Sequence, residues 1–174
     1  MRWMWIDTII RFEPEARLDT IKNVSLAEEH LHDHFDGSDG IEPLAVAPAS
    51  LLVEGMAQTA GILVGSVHRF KEKVVLAKVS KFEVDRDVLA GQSLRYEAYL
   101  DRIDAAGAST SGLIHLCDHG DGRWVEIGRA DLMFSHLDRN MAGRAFPEHN
   151  FVFSDNFRAI LVDAGLAHLI DEDV

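Results

Sequence analysis

The chain has 174 residues, enough for one domain with a sizeable core and short for two. Hydrophobic residues make up 47% and charged ones 26%, as in soluble globular proteins, and the single cysteine, Cys117, excludes an internal disulfide framework and a cysteine-built zinc site. A net charge of −12 leaves no overall phosphate-neutralising surface, which argues against nucleic acid as a partner.

Met1 to Asp7 is short, Trp-rich and already acidic, unlike a secretory signal, so a cytoplasmic location is expected. Residues 5–12 and 16–24 read as two strands joined by Glu13-Pro14-Glu15. Ser25, with Glu28 three residues on, predicts a capping box and a short helix over 26–31. That helix leads into His30-Leu31-His32-Asp33-His34-Phe35-Asp36-Gly37. Residues 36–47 carry Gly37, Gly40 and Pro43 without a usable period and read as a loop.

The longest apolar run follows, over 48–70, opened by Pro48, a good first-turn residue because it has no N–H to leave unpaired. Leu52, Met56, Ile62 and Val67 put apolar surface around most of its circumference, as in a helix buried on nearly all sides. Glu54 and Gln58 interrupt it four residues apart, and so share one face. Their presence, and the lack of about 18 uninterrupted apolar residues, argue against a membrane span. Gly55, Gly61 and Gly65 would each cost roughly 1 kcal/mol against Ala in a free helix, and make sense where a sheet presses close.

From Lys73 the pattern becomes strands, over 74–84, 93–103, 109–119 and 124–134. Leu89-Ala90-Gly91, Ala105-Ala106-Gly107 and Gly120-Asp121-Gly122 mark the turns between them. Beyond His136 the chain is polar until Ser154, which is placed to cap a last helix over 155–169. The expected architecture is α+β: a long central helix wrapped by a curved antiparallel sheet of about six strands, the hotdog fold. A hotdog domain over 1–136 would be followed by a C-terminal extension, 137–174, packed on or near it.

Three chemistries suggest themselves. His30, His32 and His34 with Asp33 resemble metal-ligand spacing, but no second ligand cluster follows, and no metal site is expected. Arg69, Lys71, Lys73, Lys78 and Lys81 form a basic run that suits steering of an anionic partner, or a solvated rim. The third is acid–base work. A carboxylate within an apolar helix is costly to desolvate unless paired or protonated, so Glu54 suits a proton donor and a histidine a base. The N–H groups at the helix start, near Ala49, have no intrahelical partners and can hold a developing oxyanion.

His34-Phe35-Asp36-Gly37, followed by Pro48-Ala49-Ser50-Leu51-Leu52-Val53-Glu54-Gly55-Met56-Ala57-Gln58, resembles the β-hydroxyacyl-acyl carrier protein dehydratase family of the FabZ type. That family shows His-Phe-Pro-Gly and then Pro-Gly-x-Leu-x-x-Glu-x-x-Ala-Gln. Ile6-Asp7, Ile21-Lys22-Asn23-Val24 and Leu76-Ala77-Lys78-Val79-Ser80-Lys81-Phe82 through Leu89-Ala90-Gly91-Gln92 resemble its strands, in collinear order to about Phe134.

The resemblance implies a cofactor-independent hydro-lyase that removes water from a 3-hydroxyacyl thioester carried by acyl carrier protein, giving the trans-2-enoyl product. It implies a homodimer, with a trimer of dimers as the next assembly, and a site in which His34 of one chain faces Glu54 of the other. His34 would take the α-proton, Glu54 would protonate the departing hydroxyl, the Ala49 N–H would hold the thioester carbonyl, and Gln58 would orient Glu54 or a water. Asp36, Gly37, Lys78 and Lys81 would stand at the substrate entrance. Three departures stand out: Asp36 replaces Pro, Ala49 replaces Gly, and the interval from His34 to Glu54 is longer, the excess lying in 38–47. A hotdog thioesterase and a non-catalytic acyl-binding subunit are the rival readings.

Overall fold

A computed structural model describes residues 4–32, 44–137 and 155–170. Six strands form one antiparallel sheet: β1 (Thr8–Glu13), β2 (Arg17–Asn23), β3 (Val74–Val84), β4 (Ser93–Asp104), β5 (Gly107–Asp118) and β6 (Arg123–His136). Their order across the sheet is β1-β2-β4-β5-β6-β3, so β1 and β3 are the edges. Two short helices, α1 (Glu29–His32) and α3 (Asp155–Asp163), flank the long α2 (Ala49–Val67). The sheet wraps α2, as expected of a hotdog fold.

The core lies between α2 and the inner face of the sheet. Leu52, Met56, Ile62 and Leu63 of α2 meet Leu18 of β2, Leu94 and Tyr96 of β4, Ile114 of β5 and Leu132 of β6, all buried. At about 1.5 Å per residue the 19 residues of α2 span roughly 28 Å. α2 is apolar and long enough to cross a membrane by length and composition, yet most of it is enclosed by its own sheet.

Two contacts fix the helix on the sheet. Thr59 Oγ1 donates to the Gly55 carbonyl at 2.8 Å and lies 2.7 Å from Thr20 Oγ1 of β2. Its one proton is committed to Gly55, so Thr20 is the donor of the second bond. At Gly55 the ring of Tyr96 lies so close that a Cβ would come within 2.5 Å of its hydroxyl carbon. Glycine permits this close approach of helix to sheet.

The start of α2 is set from outside the helix. Val46 bridges Leu89, Ala47 N–H donates to the Val88 carbonyl (2.8 Å) and Ala90 N–H to the Ala45 carbonyl (3.3 Å). Pro48 is the N-cap and brings no side-chain bond, so helix geometry begins at Ala49.

Several local expectations are corrected. Ser25 Oγ accepts the Ala27 N–H at 3.2 Å, but Glu28 does not close a capping box: it binds Lys22 Nζ at 2.6 Å, and regular helix starts only at Glu29. The final helix stops at Asp163 instead of running to 169. Gly165 takes φ +74°, Gly165 N–H bonds the Val162 carbonyl and Leu166 N–H the Leu161 carbonyl, a Schellman stop, before a single 3-10 turn, Ala167–Leu169. Leu161 is buried in the core, and α3 packs on β1. Ser154 lies outside the described residues.

The basic run does not assemble into one patch. Lys73 is buried and Arg69 Nη2 donates to the His168 carbonyl at 2.8 Å, which leaves Lys71 exposed beyond α2 and Lys78 and Lys81 exposed on the edge strand β3.

Candidate active site

Glu54 sits one and a half turns into α2 on the flank that the sheet does not close over, and it is half-buried in the single chain. Gln58, one turn later on the same face, is buried. Its Nε2 donates to Glu54 Oε1 at 3.0 Å, and its Oε1 accepts the backbone N–H of Trp5 at 2.9 Å. The expectation that Glu54 and Gln58 share a face is therefore met by a direct hydrogen bond between them.

Trp5 is a contributor that the sequence reading missed. It precedes β1 in an extended segment whose position is fixed on both sides. Ile6 is buried, Asp7 N–H donates to the Ile21 carbonyl at 2.7 Å, and Asp7 Oδ2 accepts the Asn23 N–H at 2.6 Å. The Trp5 ring meets the His30 ring edge-on, with centroids 4.9 Å apart. A backbone donor leaves no side-chain signature, so only the fold reveals it.

At the N-terminal end of α2 the N–H groups of Ala49 and Ser50 have no intrahelical acceptor and, among the described residues, no backbone partner elsewhere. Both residues are exposed. Ala49 borders a cleft of ≈ 480 Å³ lined also by Pro48, Leu52, Asp85, Arg86, Asp87 and Val88. A carbonyl oxygen entering there would meet the positive end of the helix dipole.

His34, Asp36 and Gly37 lie outside the described residues, as does the side chain of His32. Among the described residues no group of three or more His, Cys, Asp or Glu is arranged to hold a metal ion. Lys78 and Lys81 do not line the cleft; Lys81 Nζ pairs with Glu83 at 2.9 Å.

The outer face of the sheet holds a polar cluster that alternation alone does not announce. Asp19 of β2 and Glu97 of β4 stand directly opposite one another, both nearly fully buried. Such like charges repel unless bridged. Arg17 bridges them, with Nε at 2.6 Å from Asp19 and Nη2 at 2.8 Å from Glu97, and Arg95 Nη2 reaches Glu97 at 2.9 Å. The hydrogen bond to Asp19 raises the Arg17 pKa further. His115 Nδ1 lies 3.5 Å from Glu97, and burial, the largest influence, pushes its pKa below the ordinary histidine value. The cluster faces away from α2 and belongs to stability, not to the site.

Comparison with known proteins agrees with the geometry. The family model described as the FabA-like domain matches residues 2–123. A 3-hydroxyacyl-[acyl-carrier-protein] dehydratase FabZ of Solibacter usitatus is 29% identical over 148 residues, covering 84% of this chain and 83% of its own. Among solved structures, the dehydratase heterocomplex ApeI:P from Xenorhabdus doucetiae has a TM-score of 0.55 at 18% identity, covering 77% of this chain and 83% of its own. A variant of an acyl-CoA hydrolase from Staphylococcus aureus in complex with coenzyme A has a TM-score of 0.55 at 15% identity, covering 86% of each chain. The two structural likenesses establish the hotdog fold and no more. The sequence match spans well over half of the chain, and with it the helix that carries Glu54 and Gln58: the chain is a member of the FabA-like family.

Proposed function

We propose that the protein dehydrates a 3-hydroxyacyl thioester carried by acyl carrier protein to the trans-2-enoyl thioester, in fatty acid or related lipid synthesis in the cytoplasm. His34 takes the α-proton. The electron pair left on the α-carbon forms the C2–C3 double bond, the C3–O bond breaks, and the proton of Glu54 goes to the departing hydroxyl, which leaves as water. The N–H of Ala49 holds the thioester carbonyl while negative charge builds on its oxygen. Asp36 and Gly37 belong to the entrance, with Lys78 and Lys81 outside the cleft on β3.

The observation that carries this reading is the Glu54–Gln58 pair on the open flank of α2, the helix whose first N–H groups have no backbone partner among the described residues. An acid, a fixed partner for it and an oxyanion site on one helix are what elimination requires at one end of the substrate; a base is required at the other. Family membership and the FabZ name of the Solibacter relative support the same substrate class.

The working unit is taken to be a homodimer, because Glu54 is half-buried on the flank a second subunit would cover and β3 is an edge of the sheet among the described residues. A trimer of such dimers is the further assembly this reading allows.

Incubation with a 3-hydroxyacyl carrier thioester, followed by mass spectrometry, tests the proposal. Loss of one water with the acyl group retained is expected. Release of the acyl group would identify a thioesterase, and an unchanged substrate a non-catalytic acyl-binding subunit; either overturns the proposal.

A further inference from the structure

We propose that Trp5 is a positioning residue for the elimination, acting through its backbone N–H: it fixes the side-chain amide of Gln58, which in turn dictates which oxygen of Glu54 carries the transferable proton. This rests on the dehydratase reading of the site.

A backbone N–H can only donate, so the atom of Gln58 that faces Trp5 at 2.9 Å must be its carbonyl oxygen. The amide NH₂ is thereby turned toward Glu54, 3.0 Å from Oε1. An amide NH₂ can also only donate, so Glu54 Oε1 is an acceptor. When the carboxyl holds a proton, that proton sits on Oε2, away from Gln58. Without Trp5 the amide of Gln58 could turn over, present its oxygen to Glu54, and draw the acid proton to Oε1, where it would be held in the helix and unavailable to substrate.

The geometry supports a fixed device. Gln58 is buried at 7% exposure, and the segment that carries Trp5 is tied down by buried Ile6 and by both bonds of Asp7 to β2. Lys22, Glu28 and His30 line a small pocket together with Trp5, Leu51 and Leu52. Asp7 pairs with Lys22 at 3.4 Å. All four groups are retained in the variants below, so their field is common to parent and variants.

Three variants separate the links. Gln58→Met keeps the buried length and removes the amide, Trp5→Pro removes the N–H at position 5 together with the indole, and Trp5→Phe, the control for the indole, changes the ring while keeping the N–H. Hydrogen exchange at position 5, which needs no substrate, should be slow in the parent and in Trp5→Phe and about 5–10-fold faster in Gln58→Met, as for loss of one hydrogen bond. With the 3-hydroxyacyl thioester, Gln58→Met and Trp5→Pro should each lower kcat at least about 10-fold with KM little changed. Unchanged exchange in Gln58→Met overturns the proposal even if Trp5→Pro does not fold. A folded Trp5→Pro with the parent's kcat also overturns it. A parent without dehydratase activity would sink the functional reading alone, with the exchange measurement still deciding whether Trp5 holds Gln58.

Discussion

Gly55 of α2 lies directly beneath the phenol of Tyr96 of β4, with less room between them than a methyl group needs. Gly55→Ala should gain roughly 1 kcal/mol of helix propensity and lose about 1–3 kcal/mol to overpacking. The expected outcome is a lower Tm, with Gly55→Ala/Tyr96→Leu recovering part of it. A Gly55→Ala protein more stable than the parent would show that the ring moves aside freely.

His115 on the outer face gives a pH prediction. Burial holds its folded-state pKa below the unfolded value, opposed by Glu97 and Glu126 and aided by Arg95 and Arg17. The folded state therefore binds this proton less readily than the unfolded one. Its contribution is intact above the ordinary histidine pKa and declines as pH falls through that value toward the folded one. Tm of the parent should fall more steeply between pH 7 and pH 5 than that of His115→Gln. Parallel curves would contradict the assignment.

Much of this was legible in the sequence, and the failures have physical causes. Alternation and turn residues predicted β3 with the same bounds and the other long strands to within two residues at either end; β4, β5 and β6 each carry buried residues and a marked turn, whereas β3 is buried only at Val74. The Glu54–Gln58 pair was legible from spacing alone. Glu28 was misjudged because a nearby cation, Lys22, competes with the helix for its carboxylate. Lys73 was counted into a basic patch because nothing local announces burial, and the end of α3 was placed beyond Gly165 because apolar residues continue after it. Asp19 and Glu97 carry no sequence signal of pairing; the register that puts them opposite one another is a property of the sheet.

The tail is proposed to be part of the same folding unit as the sheet, since Leu161 is fully buried against it. Leu161→Ala should cost about 2–5 kcal/mol, as for core truncations, and should lower the single unfolding transition. A separate low-temperature transition, with the main one unmoved, would make the tail an independent appendage.

Assembly gives another prediction. Leu76 and Val79 are exposed on the free edge strand β3, a surface suited to a second copy. Sedimentation at micromolar concentration should give at least twice the chain mass, and Val79→Glu should shift the protein toward monomer with loss of activity. A monodisperse parent monomer would remove the shared site.

The central claim is that His34 and Glu54 act on one substrate from two subunits. His34→Ala and Glu54→Gln homodimers should each lose at least about 10²-fold in rate. Co-expressed and purified as a heterodimer, the two variants retain one intact site of two, and the account predicts activity of about half the parent's per dimer. A verified heterodimer as inactive as either homodimer would contradict it.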